Sequence, residues 1–153
     1  MTKTPHQQRV ESFMRLAKQD VPDKPITPSS EVCVLRARLI LEEALETIEA
    51  LGCEVLAERT FSVTKQNVAV VSVKDPDIVE VCDGCADISV VTIGTLSAFG
   101  VPDNELLSLV DKNNLEKFGK GHSWRPDGKL VKPPDHQAPK IKEYIGTLSG
   151  EKE

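Results

Sequence analysis

"LILEEALETIEAL", residues 39–51, sets four glutamates (Glu42, Glu43, Glu46 and Glu49) among aliphatic residues. In a helix, where each residue turns by about 100°, Glu42 and Glu46 point about 40° apart, and Glu43 flanks the same face. A solvated helix usually answers such acids with Lys or Arg one turn away. Here no Lys or Arg occurs between Arg38 and Arg59. Like charges this close cost free energy unless a cation lies among them. The stretch therefore predicts a helix from about Glu31 to Leu51, capped by Ser29 or Ser30 and stopped at Gly52, with a carboxylate patch on one side.

Working outward, residues 5–19 carry Val10, Phe13, Met14 and Ala17 at i, i+3, i+4, i+7, a helical stripe. Residues 20–30, "DVPDKPITPSS", read as a linker. From Cys53 to Val73 the composition shifts to Val, Thr and Phe, with Gln66-Asn67 in the middle, which predicts a short β-hairpin excursion. Asp75-Pro76 opens a third helix to about Ala98, apolar almost all round after Ala86, so buried or covered by a partner subunit. Pro102-Asp103 opens a fourth helix ending at Gly119, and a last short helix is expected at 139–148. The tail between them is rich in Gly, Pro and Lys, with a turn at Asp127-Gly128. The expected fold is mainly α: one domain over 1–153, with four to five helices. It divides into an N-terminal helix and linker (1–30), a helical core (31–118) and a tail (119–153).

The chain has 153 residues, 28% of them charged, and a formal charge of -5. That argues against a nucleic-acid partner, which needs clustered basic residues. No apolar run reaches membrane length and no signal region follows Met1, so a cytosolic location is expected. Cys33, Cys53, Cys82 and Cys85 are expected as free thiols, and the C-x-x-C of Cys82 and Cys85 as small core residues rather than a zinc or redox site.

The third helix repeats the acidic theme. In "EVCDGCADISVV", Glu80, Asp83 and Asp87 fall at i, i+3, i+7. Two helices that each present carboxylates from an apolar context would build an oxygen-only site for hard divalent cations, Mg²⁺ or Mn²⁺. Both clusters also read as solvated faces, but two such clusters without basic partners favour metal. Such a site suits phosphate chemistry, with cations bridging phosphate oxygens and activating water. Asn114 and Lys117, at i, i+3 on the fourth helix, are candidate phosphate contacts. Lys120, Arg125, Lys129 and Lys132 of the tail could fold over a triphosphate, although Lys129 and Lys132 fit plain solubility nearly as well. Trp124 reads as core or interface packing first and as a base-stacking residue second.

These motifs resemble a known family. "EEALE" (Glu42–Glu46) is similar to the E-E-x-x-E motif of the MazG-like all-α NTP pyrophosphatases, a group related to dimeric dUTPases. "DGCADISVVTIGTLSAFGV", residues 83–101, resembles the group's second metal helix, and "NNLEKF" with "RPDGKLVKPP" resembles its closing segment. The resemblance covers residues 31–134. It implies a bundle that assembles as homodimers or dimers of dimers and cleaves an NTP or dNTP between the α- and β-phosphates. It also implies two or more Mg²⁺ or Mn²⁺ ions per site, held by Glu42, Glu43, Glu46 and Asp87. Either Glu42 or Glu43 would orient the water, and Asn114 and Lys117 would touch phosphate. The usual E-x-x-D of the second helix is altered, because three residues before Asp87 stands Gly84. Asp83 with Asp87 is the preferred pairing, and Glu80 with Asp83 the alternative. A purine such as dGTP is the favoured substrate. A dUTPase-like specificity and a non-catalytic metal-binding helical protein are the other readings.

Overall fold

The computed structural model describes residues 2–57 and 62–150. The elements run α1 (Pro5–Leu16), α2 (Ser30–Ala50), β1 (Cys53–Ala57), β2 (Val68–Ser72), α3 (Ile78–Ala98), α4 (Asp103–Glu116), β3 (Ser123–Trp124), β4 (Leu130–Val131) and α5 (Ile141–Ser149). This is the mainly α architecture expected from the sequence. The chain forms two compact units, one comprising Met1–Thr27 with Leu96–Glu153, the other Pro28–Thr95.

In the Pro28–Thr95 unit, Ser29 caps α2 by accepting from the amide of Val32, as the sequence implied. α2 ends where Gly52 turns the chain with φ +73°; a Cβ there would run into the carbonyl of Lys74, so only glycine fits. The Gly52 carbonyl accepts from the amides of Val73 and Lys74, which closes the excursion back onto the end of α2. Within the excursion β1 and β2 pair antiparallel, from Cys53 opposite Ser72 to Ala57 opposite Val68. The predicted hairpin is present; its residues 58–61 lie outside the described residues. The amide of Asp77 then donates to the Ala50 carbonyl, and the Asp77 side chain caps α3 at the Val79 amide, 2.9 Å away.

α3 runs back along α2. Asp77 meets Ala50, Gly84 meets Thr47, and Asp83 and Asp87 act on Glu43, so the numbers rise on one helix as they fall on the other. The crossing is tight at Gly84. An added Cβ would collide with Thr47 Oγ1 and lie 3.1 Å from its Cβ and 3.2 Å from its Cα. Further along α3, Val91 and Ile93 are buried, in keeping with the all-round apolar pattern.

In the other unit, Val10 and Met14 of α1, Ala98, Val101 and Tyr144 form the buried apolar residues. Among them runs a polar network. Gln7 Nε2 donates to Ser97 Oγ and to the Val101 carbonyl, while Gln7 Oε1 accepts from the Asp103 amide. Asp103 in turn accepts from the Thr4 amide and hydroxyl, and Thr4 caps α1. The side-chain amide of Gln7 and the carboxylate of Asp103 are thus partnered within this core, as burial demands. The tail carries a small hairpin, β3 against β4, closed by Gly128 at φ +79°. The sequence marked its turn but not its strands, which are only two residues each.

The cysteines depart from expectation. All four are free, but Cys82 and Cys85 are exposed and Cys33 and Cys53 only partly covered. The reason is angular. Gly84 is the residue that faces α2, and positions 82 and 85 are turned about 100° or more away from it.

Candidate active site

α2 and α3 bring together the acids singled out in the sequence. Glu43 is half-buried, Asp87 likewise, and Glu42, Glu46 and Asp83 are exposed. The Glu43 carboxyl is held above its ordinary pKa. Partial burial is the main cause, and the charges of Asp87, Glu46, Glu42 and Asp83 add to it in that order. Acids from both helices therefore act on one carboxylate. Glu80 is not among them. Position 84 also explains the altered motif, because the residue three before Asp87 packs on Thr47 with no room for a side chain. The glycine inside an otherwise helical pattern was the sequence signal of that close approach.

Among the described residues no Lys, Arg or His pairs with Glu42, Glu43, Glu46, Asp83 or Asp87. A set of carboxylate oxygens with no nitrogen or sulfur donor fits a hard divalent cation, which would relieve the repulsion that Asp87, Glu46, Glu42 and Asp83 add to the effect of burial on Glu43. Among the described residues no three such side chains already form a closed cage, so gathering an ion requires turning their side-chain torsions. Glu49, the fourth glutamate of the opening stretch, does have a partner: its Oε1 lies 3.8 Å from Lys74 Nζ.

The predicted phosphate contacts belong to the other unit. Lys117 follows α4 directly, and its Nζ donates to Asn114 Oδ1 at 2.7 Å, so the i, i+3 pair does share a face. Arg125 pairs with Asp127 at 2.8 Å in the β3–β4 turn, and Lys120, Lys129 and Lys132 are exposed. Trp124 is 60% exposed, so it is not a core residue. It leans on Phe118, with ring centroids 6.2 Å apart.

A mainly α chain in which two antiparallel helices present a carboxylate cluster, without a basic partner among the described residues, has the make-up of an all-α nucleotide pyrophosphatase. Residues 10–114 match the family described as phosphoribosyl-ATP pyrophosphohydrolase. The chain belongs to that family, and through it to the MazG-like all-α NTP pyrophosphatase superfamily. Its general reaction is accordingly pyrophosphohydrolysis of a nucleotide. The match spans both acidic helices and the β1–β2 hairpin and ends at Asn114, leaving Lys117 and the tail beyond it. Comparison with individually characterised proteins gives no match. Among the described residues no single helix is long and apolar enough to cross a membrane.

Proposed function

We propose that the protein is a Mg²⁺- or Mn²⁺-dependent nucleoside triphosphate pyrophosphohydrolase. Water adds at phosphorus, the α–β anhydride opens, and a nucleoside monophosphate and pyrophosphate leave. The observation that carries this reading is the convergence of acids from α2 and α3 on Glu43, with no basic partner among the described residues. Glu42, Glu43, Glu46, Asp83 and Asp87 would hold two or more ions. When bound, such ions neutralise phosphate oxygens and lower the pKa of water. Glu43, whose carboxyl already holds its proton more tightly than usual, is suited to orient the attacking water and take its proton. Asn114 and Lys117 would donate to phosphate oxygens, joined by Arg125, Lys129 and Lys132 of the tail.

The preferred substrate in this reading is a purine deoxynucleoside triphosphate such as dGTP. The family's description favours a second candidate, phosphoribosyl-ATP, whose cleavage follows the same chemistry. Assembly as a homodimer or dimer of dimers is also part of the proposal. Val34, Leu35 and Leu41 of α2 are 51%, 42% and 59% exposed, an apolar face suited to burial against a second copy.

Pyrophosphate release from NTPs, dNTPs and phosphoribosyl-ATP, with and without Mg²⁺ or Mn²⁺, tests the reading. The expected result is metal-dependent release that fails in Glu43→Gln and Asp87→Asn. Equal release by those variants and the wild type would overturn it.

A further inference from the structure

The flank of α2 away from α3 carries a second feature. Leu45, Ile48 and Glu49 of α2, Val55 of β1, and Val73 and Lys74 after β2 are among the residues lining a cavity of about 440 Å³. At about 100° per residue, Glu42 and Glu46 lie between the residues of α2 that face α3 and those that line this cavity. Glu49 stands six residues beyond Glu43, about 9 Å along the helix axis. The cavity therefore begins at the edge of the carboxylate cluster, within one compact unit.

Its chemistry is specific. Aliphatic side chains come from the helix on one side and from the hairpin on the other, and Ile48 and Val55 are half-buried. Glu49 and Lys74 form the only ion pair along its lining among the described residues. At 3.8 Å between side chains 76% and 57% exposed, the pair is loose and well screened. Both groups can exchange it for a ligand. Glu54 adds a third charged group to the lining beside Glu49 and Lys74, and polar groups set among aliphatic walls are what orients a ligand in a small-molecule site.

We propose that this cavity is the nucleoside subsite and that Glu49 and Lys74 select guanine. The proposal rests on the pyrophosphohydrolase reading above and deepens it by naming the subsite and the residues that read the base. A flat base would lie between the aliphatic walls. The guanine edge presents two adjacent N–H donors, at N1 and the 2-amino group, beside the O6 acceptor. A carboxylate accepts from the two donors in a fork and an ammonium donates to O6, both as charge-assisted hydrogen bonds. Adenine has one amino donor beside a ring-nitrogen acceptor and leaves both protein groups poorly paired. This gives the hairpin insertion a task, since it supplies Val55 and leads into Val73 and Lys74.

Calorimetric titration with non-hydrolysable α,β-methylene analogues of dGTP, dITP and dATP in Mg²⁺ tests the subsite. The dGTP analogue should bind on the order of 10-fold more tightly than the dITP analogue, which lacks the 2-amino donor. Glu49→Gln should abolish that difference, and Lys74→Met should weaken both oxopurines. Val55→Trp, which fills the cavity, should weaken all three. Lys74 and Glu49 are exposed, so their variants report even if Val55→Trp fails to fold. Equal affinity for the three analogues, or affinities unmoved by Glu49→Gln and Lys74→Met, would overturn the proposal. Pyrophosphate release measured in parallel separates the two claims. An active enzyme whose base preference ignores these substitutions overturns the subsite alone. Base-selective binding without pyrophosphate release overturns the reaction alone.

Discussion

Asp103 and Glu43 are both helix carboxylates withdrawn in part from solvent, and their surroundings are opposite. Asp103 is 1% exposed and accepts from the Thr4 amide and hydroxyl, while Gln7 takes its own amide. Buried Glu11 is likewise paired, with Lys3 at 2.8 Å and Arg15 at 3.5 Å. Glu43 is only half-buried, yet among the described residues its surroundings supply four further acids and no base. Acids that hold this fold together are partnered within the protein. The cluster on α2 and α3 is left short of positive charge, as groups arranged for a ligand are.

The sharpest way to break that contrast is to neutralise Glu43 and to remove Gln7, which holds the Asp103 amide. Glu43→Gln should cut the rate of pyrophosphate release on the order of 10²–10⁴-fold, while denaturant unfolding shows stability unchanged or slightly raised. Gln7→Leu should do the reverse. It strands the Asp103 amide and the Val101 carbonyl, which should cost about 3 kcal/mol of unfolding free energy with kcat kept near wild type in the folded fraction. If both variants lost activity and stability alike, the division of labour would be wrong.

A smaller effect is expected at the helix crossing. Gly84→Ala drives a methyl group into Thr47 and should cost about 1–3 kcal/mol. Thr47→Ala in the same chain should restore part of it, measured as coupling in a double-mutant cycle. The smallest effect concerns pH. Because the Glu43 carboxyl is raised, its share of stability is complete below the ordinary carboxylate pKa. It is lost as pH rises through the higher folded-state value. In metal-free protein, the melting temperature of Glu43→Gln should therefore gain on that of wild type as pH rises through that window. Adding Mg²⁺ at neutral pH should raise the wild type more than the variant.

Much of this was legible in the sequence because it is local. Helix α2 announced itself through Ser29, Gly52 and its periodicity, and the hairpin through β-branched residues on either side of Gln66-Asn67. The acids of both helices could be named from spacing alone. What spacing could not show was which residue of α3 meets which residue of α2. That depends on Gly84 against Thr47, a contact between positions 37 apart in the chain. The Gln7 network was hidden for the same reason, since a glutamine on α1 gives no hint that its partners are Ser97, Val101 and Asp103. The exposed Cys82 and Cys85 were misjudged because residue type, without the direction of the neighbouring helix, does not say which face is covered. Glu49 is 76% exposed, and nothing in its spacing pointed to Lys74 beside it.

The contact at Gly84 has a consequence for how this chain tolerates change. It acts as a stop against sliding α3 along α2, and the residues on either side of it serve different masters. Selection for mere abundance in a cell would forbid almost any replacement at position 84 yet pass amides at 83 and 87. Selection for turnover would forbid all three. A saturation library sorted both ways would mark out the boundary between scaffold and chemistry within five consecutive residues of one helix.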